Sequence, residues 1–107
     1  MVSQISAREL AKRIENGQAV RLLDVRQAWE SQLATLPGSI HIPLNELPQR
    51  TREIQEASGT VVVFCHHGIR SLSAADFLQR LGLRDVQSLA GGIDAWSCEV
   101  DPNIPRY

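Results

Sequence analysis

The chain has 107 residues, of which 43% are hydrophobic and 21% charged, as is ordinary for a soluble globular protein. This length predicts a single domain over residues 1–107. The formal net charge of −1 gives no basic surplus for nucleic acid, and no run approaches the roughly 20 apolar residues that span a membrane. The two cysteines, Cys65 and Cys98, form neither a disulfide framework nor a C-x-x-C metal motif, so we expect a reduced, cytoplasmic protein without a metal.

The N-terminal third predicts a helix, a strand and a short irregular or helical segment. Ser6–Glu9 is a capping box that starts the helix, and Gly17 ends it. The strand covers Val20–Val25. The segment Gln27–Leu33 follows, and we expect Trp29 to turn inward from it.

The middle of the chain predicts two more strands separated by a helix. Ser39–Ile42 is a short strand that Pro43 ends. Pro48 is well placed to start a helix over Gln49–Ala57. Val61–Phe64 is an apolar, β-branched run that is typical of a buried strand.

The last third continues the alternation. A helix is predicted over Ser71–Leu81 and ends at Gly82, a short strand covers Val86–Leu89, and a short helix covers Ile93–Cys98. Strands that alternate with helices predict an α/β fold with a parallel sheet covered on both faces.

Cys65 lies where the buried strand turns into a helix. Ligands bind at this edge of an α/β sheet, and the free N–H groups of a helix N-terminus favour a thiolate. Gly68 allows backbone amides to turn inward and surround an anion, and no acidic residue stands between Thr60 and Ala75. A buried, inert cysteine is the alternative, but the polar neighbours favour a reactive one.

Several neighbours have two open roles. His66 and His67 either assist the thiolate or are simply hydrated, and adjacent Cys-His-His is poor zinc geometry. The Arg70 guanidinium either meets an anion or ties the cysteine loop, Cys65–Ser71, to its surroundings, and we favour the second. Ser71 is expected to cap the following helix, and Cys98 to be a small packed residue.

Asp24 and Arg26 end the strand at the same sheet edge. They either orient the cysteine loop and bind substrate or form an ion pair that stabilises the corner, and for Asp24 the structural role is favoured.

Four stretches resemble the motifs of one family. Cys65–Ser71 is similar to the C-x-x-G-x-R-S active loop of the single-domain rhodaneses, which are thiosulfate sulfurtransferases. Leu22–Arg26, Leu36–Leu44 and Gly91–Trp96 resemble three further motifs of that family in the same order. The resemblance covers about Ser6 to Trp96.

The resemblance implies a rhodanese-like, five-stranded and mostly parallel sheet with helices on both faces. It also implies that the Cys65 thiolate takes a sulfur from thiosulfate or a related donor and passes it, as a persulfide, to a thiol or cyanide. Substrate is bound by the backbone amides after the cysteine, with Asp24, Arg26 and Ser71 as support, and no cofactor or metal is implied. The amide-bearing residues are His66, His67, Gly68, Ile69 and Arg70.

Two alternatives remain open. A phosphatase or arsenate reductase would use a C-x5-R loop around a tetrahedral oxyanion, whereas Cys65 to Arg70 is C-x4-R and suits a single sulfur better. A persulfide carrier for a sulfur-relay protein would need the same cysteine and the same amides, so the sequence does not separate it from an enzyme.

Overall fold

The computed structural model describes residues 2–55 and 59–107. Within these residues, five strands and five α-helices alternate along most of the sequence. No helix in these two ranges is long and apolar enough to cross a bilayer. The elements are β1 (Ser3–Ile5), α1 (Ala7–Glu15), β2 (Val20–Asp24), α2 (Ala28–Leu33), β3 (Ile40–His41), a 3-10 helix (Leu44–Gln49), α3 (Arg52–Gln55), β4 (Thr60–Phe64), α4 (Ile69–Arg80), β5 (Val86–Leu89) and α5 (Gly92–Glu99).

The strands form one sheet in the order β1-β5-β4-β2-β3. Every observed pairing is parallel, so the predicted α/β fold is confirmed and the sheet is wholly rather than mostly parallel. Asp24 pairs with Phe64 in the register of β2 and β4, the two strands at the centre. Because both strands end at this level, the segments that follow them, with Arg26 and Cys65, emerge side by side at one edge.

Apolar side chains fill both faces of the sheet, which confirms helices on both sides. One face packs against α3, α4 and the 3-10 helix, and the other against α1 and α5. Alternate residues of β4 point to opposite faces, as the period of a strand requires. The largest fully buried apolar side chains include Ile5, Leu10, Leu23, Leu36, Ile42, Leu47, Ile54, Phe64, Leu78, Leu89 and Ile93.

Strand β1 is the element that the sequence did not predict. Two of its three residues, Ser3 and Gln4, are polar and exposed, so no alternating pattern marks it. Only Ile5 is buried, and the strand exists because it pairs with β5. It supplies the fifth strand that the family resemblance implied.

The helix predicted over Gln49–Ala57 is wrong in its start and its form. Pro48 lies inside the 3-10 helix, and α3 begins only at Arg52. The two apolar anchors Leu47 and Ile54 are both fully buried, so each short helix turns one anchor into the core. The last predicted residues, 56 and 57, lie outside the described residues.

Trp29 does not turn inward as predicted. Its side chain is 58% exposed, whereas its neighbour Glu30 is only 3% exposed. Helix α2 has six residues and therefore a narrow buried face. Glu30, which forms an ion pair with Arg70, occupies that face.

Candidate active site

Cys65 follows directly on β4 and is 1% exposed. Gly68 adopts φ of 99°, in the left-handed region that favours glycine, and α4 starts at the next residue. The helix therefore begins at Ile69, two residues before the predicted start at Ser71. The early start places the first turn of a twelve-residue helix directly beside the sulfur.

Two backbone amides donate hydrogen bonds to Cys65 Sγ. The Gly68 N–H lies 3.1 Å away and the Ser71 N–H 3.4 Å away. The predicted amide donors run from His66 to Arg70. The Ser71 donor lies one residue beyond that run, at the third position of α4. N–H groups in the first helical turn lack partners within the helix, so both amides are free to donate to the sulfur.

Ser71 does not cap α4, contrary to the prediction, because Gly68 occupies the cap position. Its buried hydroxyl instead accepts a hydrogen bond from the Cys65 thiol at 3.5 Å and lies 2.7 Å from the hydroxyl of Ser88. With Ser88 donating to Ser71, the Ser71 hydroxyl is free to donate to a thiolate. In that arrangement an ionised Cys65 would have a third polar hydrogen directed at its sulfur.

The start of α5 orients the peptide groups of the cysteine loop. The N–H groups of Ile93 and Asp94 donate to the carbonyl oxygens of Cys65 and His66, at 2.9 and 3.1 Å. A Cβ at Gly92 would overlap both carbonyl oxygens, so only glycine permits this approach. These carbonyl oxygens are occupied by α5, which leaves the N–H side of the loop to the sulfur.

Arg70 is tied to Glu30 on α2. Its two terminal nitrogens donate to the two carboxylate oxygens, each at 2.7 Å. These bonds, together with one from the Gln27 N–H, outweigh burial and lower the pKa of Glu30 to about 2. They also raise the pKa of Arg70, against the effect of its own burial. The guanidinium thus ties the loop to α2, and no sequence motif distinguished Glu30 as its partner.

Replacing Glu30 with glutamine should make the free energy of unfolding depend less on pH in the acidic range. The pKa of Glu30 falls from 4.5 to about 2 on folding, so its contribution of about 3 kcal/mol is complete above pH 4.5 and is lost as the pH falls towards 2. Urea unfolding should show a large gap between wild type and variant at pH 7 that narrows at pH 2.5. Glu53→Gln, at an exposed ion pair with Arg50, is the matched control and should show a far smaller gap. An equal gap at both pH values would contradict the assignment.

Asp24 and Arg26 form a wholly buried ion pair at the corner after β2. Arg26 Nε and Nη2 donate to the two Asp24 oxygens at 2.8 and 2.7 Å, and Nη2 also donates to the Ala34 carbonyl at 2.6 Å. Burial alone would lower the pKa of Arg26, but its bonds to Asp24 and Tyr107 hold it above the usual range. The pair fixes the segment that leads into α2 and hence places Glu30.

The side chains of the loop point in different directions. His66 is sandwiched between the rings of His67 and Tyr107, at 3.9 and 4.0 Å, and its burial and the His67 charge lower its pKa. His67 is largely exposed, with Nδ1 3.9 Å from the Asp94 carboxylate. Ile69 is 77% exposed. Of the residues after Cys65, the structure thus brings Gly68 and Ser71 onto the sulfur, and it turns the Arg70 guanidinium towards α2.

Cys98 is exposed on α5, so the prediction of a packed residue is wrong. It lies one helical turn after Asp94, on the solvent side of a helix whose opposite side packs on the sheet. Within residues 2–55 and 59–107, no group of three or more His, Cys, Asp or Glu side chains is arranged to hold a metal ion.

The parallel five-stranded sheet, with a cysteine that accepts hydrogen bonds from helix N–H groups at its edge, places this chain in a known class of α/β proteins. Residues 6–99 match the family described as Rhodanese-like domain. The chain belongs to this family, and the family predicted from the four sequence motifs is confirmed.

Individual relatives carry sulfurtransferase names. The chain is 33% identical to a protein named sulfurtransferase from Allochromatium vinosum, over 91% of this chain and 90% of that protein. It is 34% identical to the adenylyltransferase and sulfurtransferase MOCS3-2 of Zea mays, but spans 23% of the length of that larger protein. A rhodanese-related protein from Thermoplasma volcanium has the same fold, with a TM-score of 0.81 and 34% identity, and covers 98% of this chain and 99% of that one.

Proposed function

We propose that this protein is a sulfurtransferase that carries a sulfane sulfur as a persulfide on Cys65. The observation that supports this most is the pair of N–H donors on Cys65 Sγ, from Gly68 and Ser71. Donors fixed in this way stabilise a thiolate before the reaction and a persulfide anion after it, at no cost of reorganisation.

The reaction proceeds in two half-reactions. The Cys65 thiolate attacks the outer sulfur of thiosulfate, the S–S bond of the donor breaks, and sulfite leaves with the bonding electron pair. The persulfide anion then gives its outer sulfur to cyanide or a thiolate, and Cys65 leaves as the original thiolate. Both steps need a nucleophile that is already ionised, so no general base, metal or organic cofactor takes part.

Each supporting residue has a separate part in this proposal. The amides from His66, His67, Gly68, Ile69 and Arg70, extended by that of Ser71, surround the transferred sulfur. Asp24 and Arg26 hold the neighbouring corner, and the Arg70 guanidinium anchors the loop through Glu30. Because the cycle starts from a free thiol, we place it in a reducing compartment such as the cytoplasm.

A transfer assay tests the class of reaction. Wild-type protein with thiosulfate and cyanide should release thiocyanate, with the parallel reciprocal plots of a ping-pong mechanism. The same preparation should not release phosphate from an aryl phosphate. Phosphate release without thiocyanate would contradict the proposal and support the phosphatase alternative.

A persulfide carrier for a protein partner is the second candidate. Two apolar residues near the loop favour it, since Ile69 is 77% and Trp29 58% exposed. A carrier would load sulfur from thiosulfate or a persulfide donor but discharge it slowly to saturating cyanide. Fast discharge to cyanide would favour the small-molecule enzyme.

A further inference from the structure

Tyr107 lies against the cysteine loop although it comes 42 residues after Cys65 in the sequence. Its ring stacks on the His66 ring with centroids 4.0 Å apart and planes within 10°. Its hydroxyl accepts a hydrogen bond from Arg26 Nη1 at 3.0 Å and donates one to Glu30 Oε1 at 2.8 Å. The residue therefore contacts the loop, the end of β2 and α2 at once.

The segment that leads to Tyr107 is anchored along its path. Ile104 is 9% exposed and packs into the core on the α1 and α5 face. Arg106 donates to the Asp94 carboxylate of α5 at 2.8 Å. The segment thus passes from α5, which binds the loop carbonyls, to α2, which binds Arg70.

Tyr107 contacts one end of the loop directly and is linked to the other end through Glu30. His66, the first residue after Cys65, stacks on its ring, and Arg70 is held by Glu30, which accepts the Tyr107 hydroxyl. We propose that Tyr107 is a positioning residue that fixes the separation of the loop ends, so that the Gly68 and Ser71 amides stay directed at Cys65 Sγ. This inference rests on the proposed sulfur transfer and assigns no contact between Tyr107 and the substrate.

The two parts of the side chain contribute separately. The ring holds His66, and the hydroxyl satisfies a buried N–H of Arg26 and supplies Glu30 with a donor besides Arg70 and Gln27. Tyr107→Phe keeps the stack and loses the bridge, whereas Tyr107→Leu loses both. The pair therefore separates the two contributions within one position.

Three variants test the proposal. For Tyr107→Leu we expect the maximal rate constant of Cys65 loading by thiosulfate, measured in a single turnover, to fall about tenfold. The thiosulfate concentration that gives half of this rate should stay within about twofold, because misdirected amides stabilise the transition state less. Tyr107→Phe should recover most of this loss. Ile5→Val removes a methylene from a fully buried side chain on β1. It should lower the unfolding midpoint while leaving both constants unchanged.

A second measurement does not depend on the sulfur donor. Amide hydrogen exchange at Gly68 and Ser71, followed by NMR, should be at least about tenfold faster in Tyr107→Leu and unchanged in Ile5→Val. Unchanged loading and unchanged exchange in Tyr107→Leu would overturn the inference and leave the sulfurtransferase proposal intact. If wild type loads no sulfur, the proposed function fails, and the exchange rates still decide whether Tyr107 positions the loop.

Discussion

Replacing Cys65 with serine is expected to abolish thiocyanate formation, with a loss of at least about a thousandfold. Serine keeps the size of the side chain and the two N–H donors at the site, but a hydroxyl is not ionised at neutral pH and forms no persulfide. The comparison is the initial rate of thiosulfate-to-cyanide transfer for wild type and variant at equal concentration.

Cys98→Ser is the matched control for this experiment. It makes the same chemical change on the exposed side of α5. The Cys98 variant should transfer sulfur at the wild-type rate. Appreciable transfer by the Cys65 variant, or loss of transfer in the Cys98 variant alone, would show that Cys65 is not the reactive thiol and would contradict the proposal.

Asp24→Asn should cost about 3–5 kcal/mol of the free energy of unfolding, because it leaves the buried Arg26 guanidinium without an opposing charge. That is a large share of the roughly 5–15 kcal/mol that stabilises a typical domain. The Ser31 hydroxyl also loses its charged acceptor, at 2.6 Å. Urea unfolding at pH 7 measures the difference.

Asp76→Asn gives the matched control, since Asp76 forms an exposed ion pair with Arg80 one helical turn away. Such pairs contribute little in water, so this variant should unfold close to wild type. If the two aspartate variants were equally stable, the corner after β2 would not depend on its ion pair. If the folded Asp24 variant still transferred sulfur at the wild-type rate, the Asp24–Arg26 pair would contribute to stability but not to sulfur transfer.

The elements that the sequence predicted are those with a strong local pattern. Val61–Phe64 is a continuous apolar run, and Ser6 begins α1 with a side-chain cap that accepts from the Glu9 N–H at 3.1 Å. β1 escaped prediction because three mostly polar residues carry no period, and only their pairing with β5 makes them a strand.

The site divides in the same way. The position of Cys65 at the end of a strand and the need for Gly68 follow from adjacent residues, so the sequence could indicate them. Glu30 and Tyr107 reach the loop from forty residues before Arg70 and from the far end of the chain. Their contacts depend on the order of the strands, which no local pattern contains. The prediction that Trp29 turns inward was wrong because Glu30, through its contact with Arg70, takes the buried side of α2. That contact also depends on the order of the strands.

The most direct test of the central claim is the mass of the protein itself between the two half-reactions. Wild type incubated with thiosulfate and then desalted should carry one added sulfur, mapped to Cys65. Cyanide should remove it with the release of one thiocyanate for each sulfur lost. An unchanged mass, or thiocyanate formed only while thiosulfate remains present, would contradict a Cys65 persulfide as the carrier of the transferred sulfur.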